Sequence, residues 1–156
     1  MVLMNYMTGE LLHSFGDAPK MIVAMFDTGG KINTVEFHAD DKGQQSSSPE
    51  LLQAVEELKQ NFSPKKIAEV ATISALENQK LVEKKQLPEI IEYVKSLGAL
   101  GVNVAHSGTM LGVLFAPDES MRKVVEAVKA IQAKFPHLEH FETDRIVSGG
   151  WDIHRR

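Results

Sequence analysis

Cysteine is missing altogether from this 156-residue chain. That excludes a disulfide framework, a thiolate nucleophile and a cysteine-built zinc site. Long apolar runs are missing too, since no stretch approaches the roughly 20 residues a membrane-spanning helix needs. The amino terminus has no basic segment leading into an apolar core, so no secretory signal is expected. Nor is there a basic stripe to offset the formal charge of −4, which argues against a nucleic-acid partner. The short pairs Lys65-Lys66 and Lys84-Lys85 read as solvated helix faces. Neither a Gly-x-x-x-x-Gly-Lys-[Ser/Thr] loop nor a Gly-x-Gly-x-x-Gly fingerprint occurs, so the chain holds no self-sufficient nucleotide site. These absences fit a cytoplasmic protein without a membrane partner.

What remains is an ordinary globular composition, 43% hydrophobic and 24% charged, and enough chain to bury one core. Residues 1–156 are therefore expected to form a single domain. Met1 to Phe15 alternates weakly around Thr8-Gly9, which predicts a hairpin. Met21 to Phe26 reads as a buried strand and Thr34 to His38 as a half-buried one, with a polar loop over residues 39–48. Ser48-Pro49 and Ser63-Pro64 each offer an N-cap followed by proline at the first helical position. Leu51, Leu52, Val55 and Leu58 follow helical spacing, as do Ile67, Val70, Ala71, Ser74, Asn78 and Leu81. Pro88 opens a further helix that Gly98 ends, and Asp118 is placed to cap another with Met121, Val124, Val125, Val128 and Ile131 inward. A last strand falls within Leu138 to Val147. The order predicts an α+β, ferredoxin-like sandwich, a β-α-β-β-α-β core with an extra helix, preceded by an N-terminal hairpin.

One segment looks built for chemistry. Two strand-like runs, Gly101 to Val104 and Met110 to Phe115, flank Ala105-His106-Ser107-Gly108-Thr109. Glycine beside small hydroxyls leaves backbone N–H groups open to an anion or a small polar ligand. A nucleophile elbow would need Gly-x-Ser-x-Gly followed by a helix, and both features fail here. Asp27-Thr28-Gly29-Gly30 supports a second turn, in which Asp27 and Thr28 either cap the turn or contact a ligand. Asn78 lies on an apolar helical face, where it must find a partner in neighbouring backbone or in a ligand. The six histidines lack a carboxylate set at ligand spacing, so no metal site is expected.

The run Gly98 to Thr109, ending in Ala-His-Ser-Gly-Thr, resembles the carboxy-terminal glycine motif of the GHMP family of small-molecule kinases, and within it the L-threonine kinases of cobalamin biosynthesis and propanediol utilisation. Asp27-Thr28-Gly29-Gly30 with Thr34 to Phe37, Ser74 to Gln79, and Val147-Ser148-Gly149-Gly150 are similar to further stretches of those kinases. The resemblance implies a cleft lined by Asn103, His106, Ser107, Gly108, Thr109 and Gly112, with Asp27, Thr28, Gly29, Gly30, Thr34 and Asn78 near it. His106 and Asn103 would orient an amino-acid substrate. The family's amino-terminal domain carries a Pro-x-x-x-Gly-Leu-Gly-Ser-Ser-Ala loop for ATP and magnesium and the catalytic acid, and no such segment occurs in these residues. The resemblance thus implies a carboxy-terminal half with no catalytic residue of its own. Its expected partners are the missing kinase half, a small alcohol or amino-acid substrate, and a second copy of the chain in a homodimer. ATP and Mg2+ belong to the complete kinase. A split kinase, or a non-catalytic small-ligand module on the same fold, is the alternative.

Overall fold

The computed structural model describes residues 1–5, 8–29, 47–80, 83–105 and 108–149. The expected strand at 34–38 and all but the end of the polar loop fall outside them, as does Leu81. Strands β1 (Val2–Met4) and β2 (Leu11–Ser14) form the expected antiparallel hairpin. Its turn is closed by the Gly9 amide on the Asn5 carbonyl, with Gly9 at φ +72°.

The main sheet contains β3 (Ile22–Asp27), β4 (Gly101–Val104), β5 (Met110–Phe115) and β6 (Glu139–Arg145), in the spatial order β4-β5-β3-β6 with every pair antiparallel. With the helices between them, this is the ferredoxin-like arrangement. Alternation along the strands turns Ile22, Ala24, Phe26, Val102, Leu111, Val113 and Phe115 to one face. There they meet Leu87, Ile90, Ile91 and Val94 of α3 (Leu87–Ser96) and Val124, Ala127, Val128 and Ile131 of α4 (Met121–Lys134). The register of β3 against β6 shifts between Met25 and Phe26, because Met25 faces Glu142 while Phe26 faces His140. Phe141 is the extra residue of this bulge and is 70% exposed.

The helix signals hold where they rest on caps. Ser48 accepts from the Leu51 amide to start α1 (Pro49–Gln60), and Ser63 accepts from Lys66 to start α2 (Pro64–Asn78). Gly98, at φ +94°, follows the end of α3. The cap of α4 is Ser120 rather than Asp118, since its hydroxyl accepts from the Lys123 amide. Inward faces differ from expectation at several positions. Leu52, Met121 and Val125 are exposed, whereas Ala54 and Ala127 are buried. Adjacent helical residues lie about 100° apart, and in Leu51-Leu52 and Val124-Val125 the second of each pair falls on the exposed side.

The largest departure is α2. Its buried stripe is Ala68, Thr72, Ala75 and Asn78, not the larger Ile67 and Val70. The reason is close contact with the edge strand β4, where a Cβ on Gly101 would overlap the Thr72 hydroxyl and approach Ala68 O to 2.7 Å. Thr72, 5% exposed, donates from its hydroxyl to Ala68 O at 2.6 Å and accepts from the Val102 amide at 3.0 Å. A strand edge that pairs with no other strand among the described residues is thereby covered by a helix, and one of its N–H groups is satisfied by a side chain. Met21, Val23, Leu100, Leu114 and Ile146 fill in around Ile67, Ala68 and Ala71 as a second apolar cluster. Lys66 also departs from expectation, bridging Glu57 of α1 at 2.6 Å and Glu69 at 3.0 Å.

Two substitutions test this contact by denaturant unfolding. Gly101→Ala should cost about 1–3 kcal/mol by forcing α2 away from β4. Thr72→Val keeps the volume but leaves the Val102 amide unsatisfied, for a loss of about 1–3 kcal/mol. Unchanged midpoints would refute the close-contact account.

Candidate functional site

The two turns singled out in the sequence meet at one end of the sheet. The cross-strand partner of Asp27 is Met110, at the start of β5. Just beyond, the carbonyl of Thr109 accepts both the Thr28 amide at 2.9 Å and the Thr28 hydroxyl at 2.7 Å. The Asp27 carboxylate accepts from the Gly29 amide at 2.8 Å, which closes a tight turn with Gly29 at φ +76°. It also accepts from the Thr109 hydroxyl, and these two donors hold its pKa below the ordinary carboxylate value, the Gly29 amide contributing most. Asp27 thus does what the bland reading expects, capping its own turn, and also ties that turn to the other.

The β4-β5 hairpin is closed by the Ala105 amide on the Met110 carbonyl at 2.9 Å. Gly108 lies over Ala105, since a Cβ on Gly108 would sit 3.2 Å from Ala105 Cβ. Gly108 and Thr109 are half-buried. His106, Ser107, Gly30 and Thr34 lie outside the described residues. On the sheet face opposite α3 and α4, one row runs through Asn103, Gly112, Met25 and Glu142. Asn103 is exposed, and a Cβ on Gly112 would overlap Asn103 Oδ1. Gly112 is therefore the space in which the Asn103 carboxamide rests.

The segment Glu77-Asn78-Gln79 explains why the carboxyl end of α2 matters. Glu77 accepts from the Ser48 amide at 3.0 Å, fixing the start of α1. Asn78 is 3% exposed, as its apolar-face position predicts. Gln79 grips the backbone of Lys84 twice, donating to Lys84 O at 3.0 Å and accepting from Lys84 N at 2.7 Å. Lys84 corrects the sequence reading. It is not on a solvated helix face but in the connection before α3, only 2% exposed, with Nζ donating to Ala105 O at 3.0 Å. Burial pushes its pKa below the ordinary lysine value. The signal that could have found it is Pro88, which suits the first turn of a helix and so leaves Lys84 in the connection before it, while Lys85 beside it is exposed.

An open cavity of about 920 Å3 lies elsewhere, against α2 and the end of α3, with Lys65, Glu69, Ile73 and Lys95 among its lining. None of the turn residues lines it, and its mixed charges point to no particular ligand. Among the described residues no three His, Asp or Glu side chains come together as metal ligands, and no helix is long and apolar enough to cross a membrane.

Residues 51–134 match the family described as GHMP kinases C terminal. An L-threonine kinase from Citrobacter freundii is 24% identical over 143 residues, covering 86% of this chain and 49% of that protein. An L-threonine kinase from Salmonella typhimurium is 29% identical over 140 residues, covering 85% and 46%. The chain thus spans about half the length of the curated relatives it matches. Among solved structures, L. major mevalonate kinase in complex with R-mevalonate superposes with a TM-score of 0.60 at 16% identity, over 87% of this chain and 46% of that one. Homoserine kinase from Cytophaga hutchinsonii gives 0.57 at 14%, over 93% and 46%. At such identities these two show a shared fold.

Two outcomes follow from the geometry. Because the folded-state pKa of Asp27 lies below its ordinary value of 3.8, its stabilising contribution is complete above that value and is lost as pH falls through the lowered one. Asp27→Asn should therefore destabilise the chain at about pH 7, and the gap from wild type should close as denaturation is repeated towards about pH 2. A gap independent of pH would refute the assignment. Gly112→Ala should shift the side-chain amide resonances of Asn103 while the β4-β5 pairing persists. Unmoved resonances would show that the carboxamide does not rest there.

Proposed function

The chain belongs to the GHMP kinases as their carboxy-terminal domain, and from that premise we propose that it is the substrate- and phosphate-side domain of an ATP-dependent L-threonine kinase. The reaction would pass the terminal phosphoryl group of ATP to the threonine hydroxyl, giving O-phospho-L-threonine, as in the cobalamin-biosynthetic kinases the chain resembles. The observation that carries this reading is the match to two L-threonine kinases, which at 86% and 85% of the chain takes in the whole β4-β5 hairpin and the segment that braces it.

Phosphoryl transfer asks little covalent chemistry of a protein and a great deal of positioning and charge stabilisation. The described residues offer positioning. Thr28 and Asp27 hold Thr109, Gly108 keeps the hairpin turn slim over Ala105, and Gly112 seats the Asn103 carboxamide on the adjoining face. In this reading Ser107, Gly108 and Thr109 face the phosphates and the acceptor, while Asn103 and His106 orient the amino acid. By the resemblance, Gly30, Thr34 and Asn78 would lie close to the same cleft. The hydrogen-bonding turn suits the edge of a phosphate, whereas the described residues supply no ligand set for Mg2+. ATP, when bound, supplies the transferred group. The phosphate loop, the magnesium ligands and the catalytic acid would come from an amino-terminal half, in the same protein or as a separate chain. The 156 residues then act as one domain of a two-domain site.

A coupled ADP-release assay with L-threonine and ATP tests the proposal. The 156-residue chain alone should give no turnover above background, and addition of a GHMP amino-terminal half should restore threonine-dependent ADP release. Turnover by the chain alone, or restored ADP release that ignores threonine, would overturn it.

A further inference from the structure

Lys84 is the one buried cation among the described residues, and the function proposed above does not use it. A buried ammonium is costly unless a counter-charge and hydrogen bonds replace its lost water. Here the described residues compensate it only in part. Among the described residues Lys84 Nζ meets one neutral acceptor, Ala105 O, and forms no ion pair. Yet the chain takes care to keep it there. The Gln79 carboxamide fixes the Lys84 backbone with both its oxygen and its nitrogen, and Gln79 sits at the end of a helix anchored on β4 through Thr72. A lysine whose backbone is held this firmly, and whose ammonium meets no counter-charge among the described residues, is placed for a charge that arrives from outside.

Position says which charge. Ala105 O lies where the hairpin turn begins, and Gly108 packs directly over Ala105. On the other side of the turn the Asp27 carboxylate already accepts from Gly29 and Thr109, so its charge is engaged within the protein. We propose that Lys84 is a positioning residue that fixes the Ala105 carbonyl and sets positive charge behind the Gly108–Thr109 turn, so that the turn takes a phosphate group. This rests on the kinase reading for its context but not for its test. A cation beneath a turn of backbone N–H groups is a general way to bind an oxyanion, because the donors give direction and the charge gives strength. The shared chemistry is a phosphate dianion, whether borne by the nucleotide or by the phosphorylated product.

The experiment titrates the isolated 13C,15N-labelled chain with inorganic phosphate against sodium chloride of equal ionic strength, following the Gly108 and Thr109 amides and the ε-methylene resonances of Lys84. In the wild type phosphate should move all three saturably, and chloride should not. Lys84→Met, which keeps the length of the stem, should weaken phosphate binding about tenfold or more, the loss of one charge-assisted partner. Lys84→Arg should stay within about threefold of wild type, since charge and donors persist. Equal affinity in Lys84→Met and wild type would overturn the proposal, as would turn amides that ignore phosphate. Should Lys84→Met not fold, the wild-type Lys84 resonances decide, and their failure to move at saturating phosphate would overturn it alone. ATP and O-phospho-L-threonine form the second arm, and a stronger response to either upholds the proposal and names the source. A Lys84-dependent response to L-threonine with none to phosphate would overturn it in favour of a carboxylate. If phosphate binds through Lys84 while the reconstituted protein fails to phosphorylate threonine, this inference stands and the kinase reading falls.

Discussion

The docking of α2 on the edge strand β4 is the contact on which the candidate site depends. It requires three small features at once: no side chain at Gly101, a methyl at Ala68 and a hydroxyl at Thr72. The hydroxyl serves both elements, giving its proton to the helix backbone and accepting one from the strand. With the helix fixed at that point, its carboxyl end is fixed as well. Glu77 can then reach Ser48, and Gln79 can clasp Lys84. A helix standing farther off, as a bulkier stripe would demand, would carry Glu77 away from Ser48 and Gln79 away from the lysine that holds the hairpin.

The hairpin itself is held from two sides by groups of opposite charge. From the centre of the sheet Asp27 and Thr28 take the hydroxyl and the carbonyl of Thr109. From the edge Lys84 takes the carbonyl of Ala105. Each tether joins the hairpin to a different part of the chain, far apart in sequence. The turn is therefore fixed by the assembled fold, in keeping with a site that needs geometry defined before a ligand arrives.

Cap chemistry and period-two alternation were legible in the sequence because both are local. Ser48, Ser63 and Gly98 sit where helices begin and end for reasons contained within four or five residues. The β4-β5 hairpin and its small residues were legible for the same reason, and the ferredoxin-like order followed from the sequence of elements. The stripe of α2 was not legible, because Ala68 and Thr72 are chosen by the strand across from them, about thirty residues away, rather than by hydrophobicity. Lys84 was read as solvated for a related reason. A lysine beside another lysine carries no mark of burial, and its partner is Ala105, a backbone carbonyl that any residue could have supplied. For His106, Ser107, Gly30 and Thr34 the reading stays with the resemblance, since they lie outside the described residues.

The bulge in β6 bears on how the molecule behaves in a crowded solution. One edge of the main sheet is covered by α2, but the other is β6, which among the described residues pairs only with β3. A flat, regular edge invites a strand from another molecule and so begins aggregation. Here the register breaks at Phe141, and Glu139, Glu142, Asp144 and Arg145 stand charged and exposed along the same strand. A visiting strand would find neither an even ladder of N–H and C=O groups nor neutral side chains to lie against. The irregularity that interrupts the sheet thus protects the colloidal stability of a domain whose most exposed aromatic ring, among the described residues, lies on that very edge.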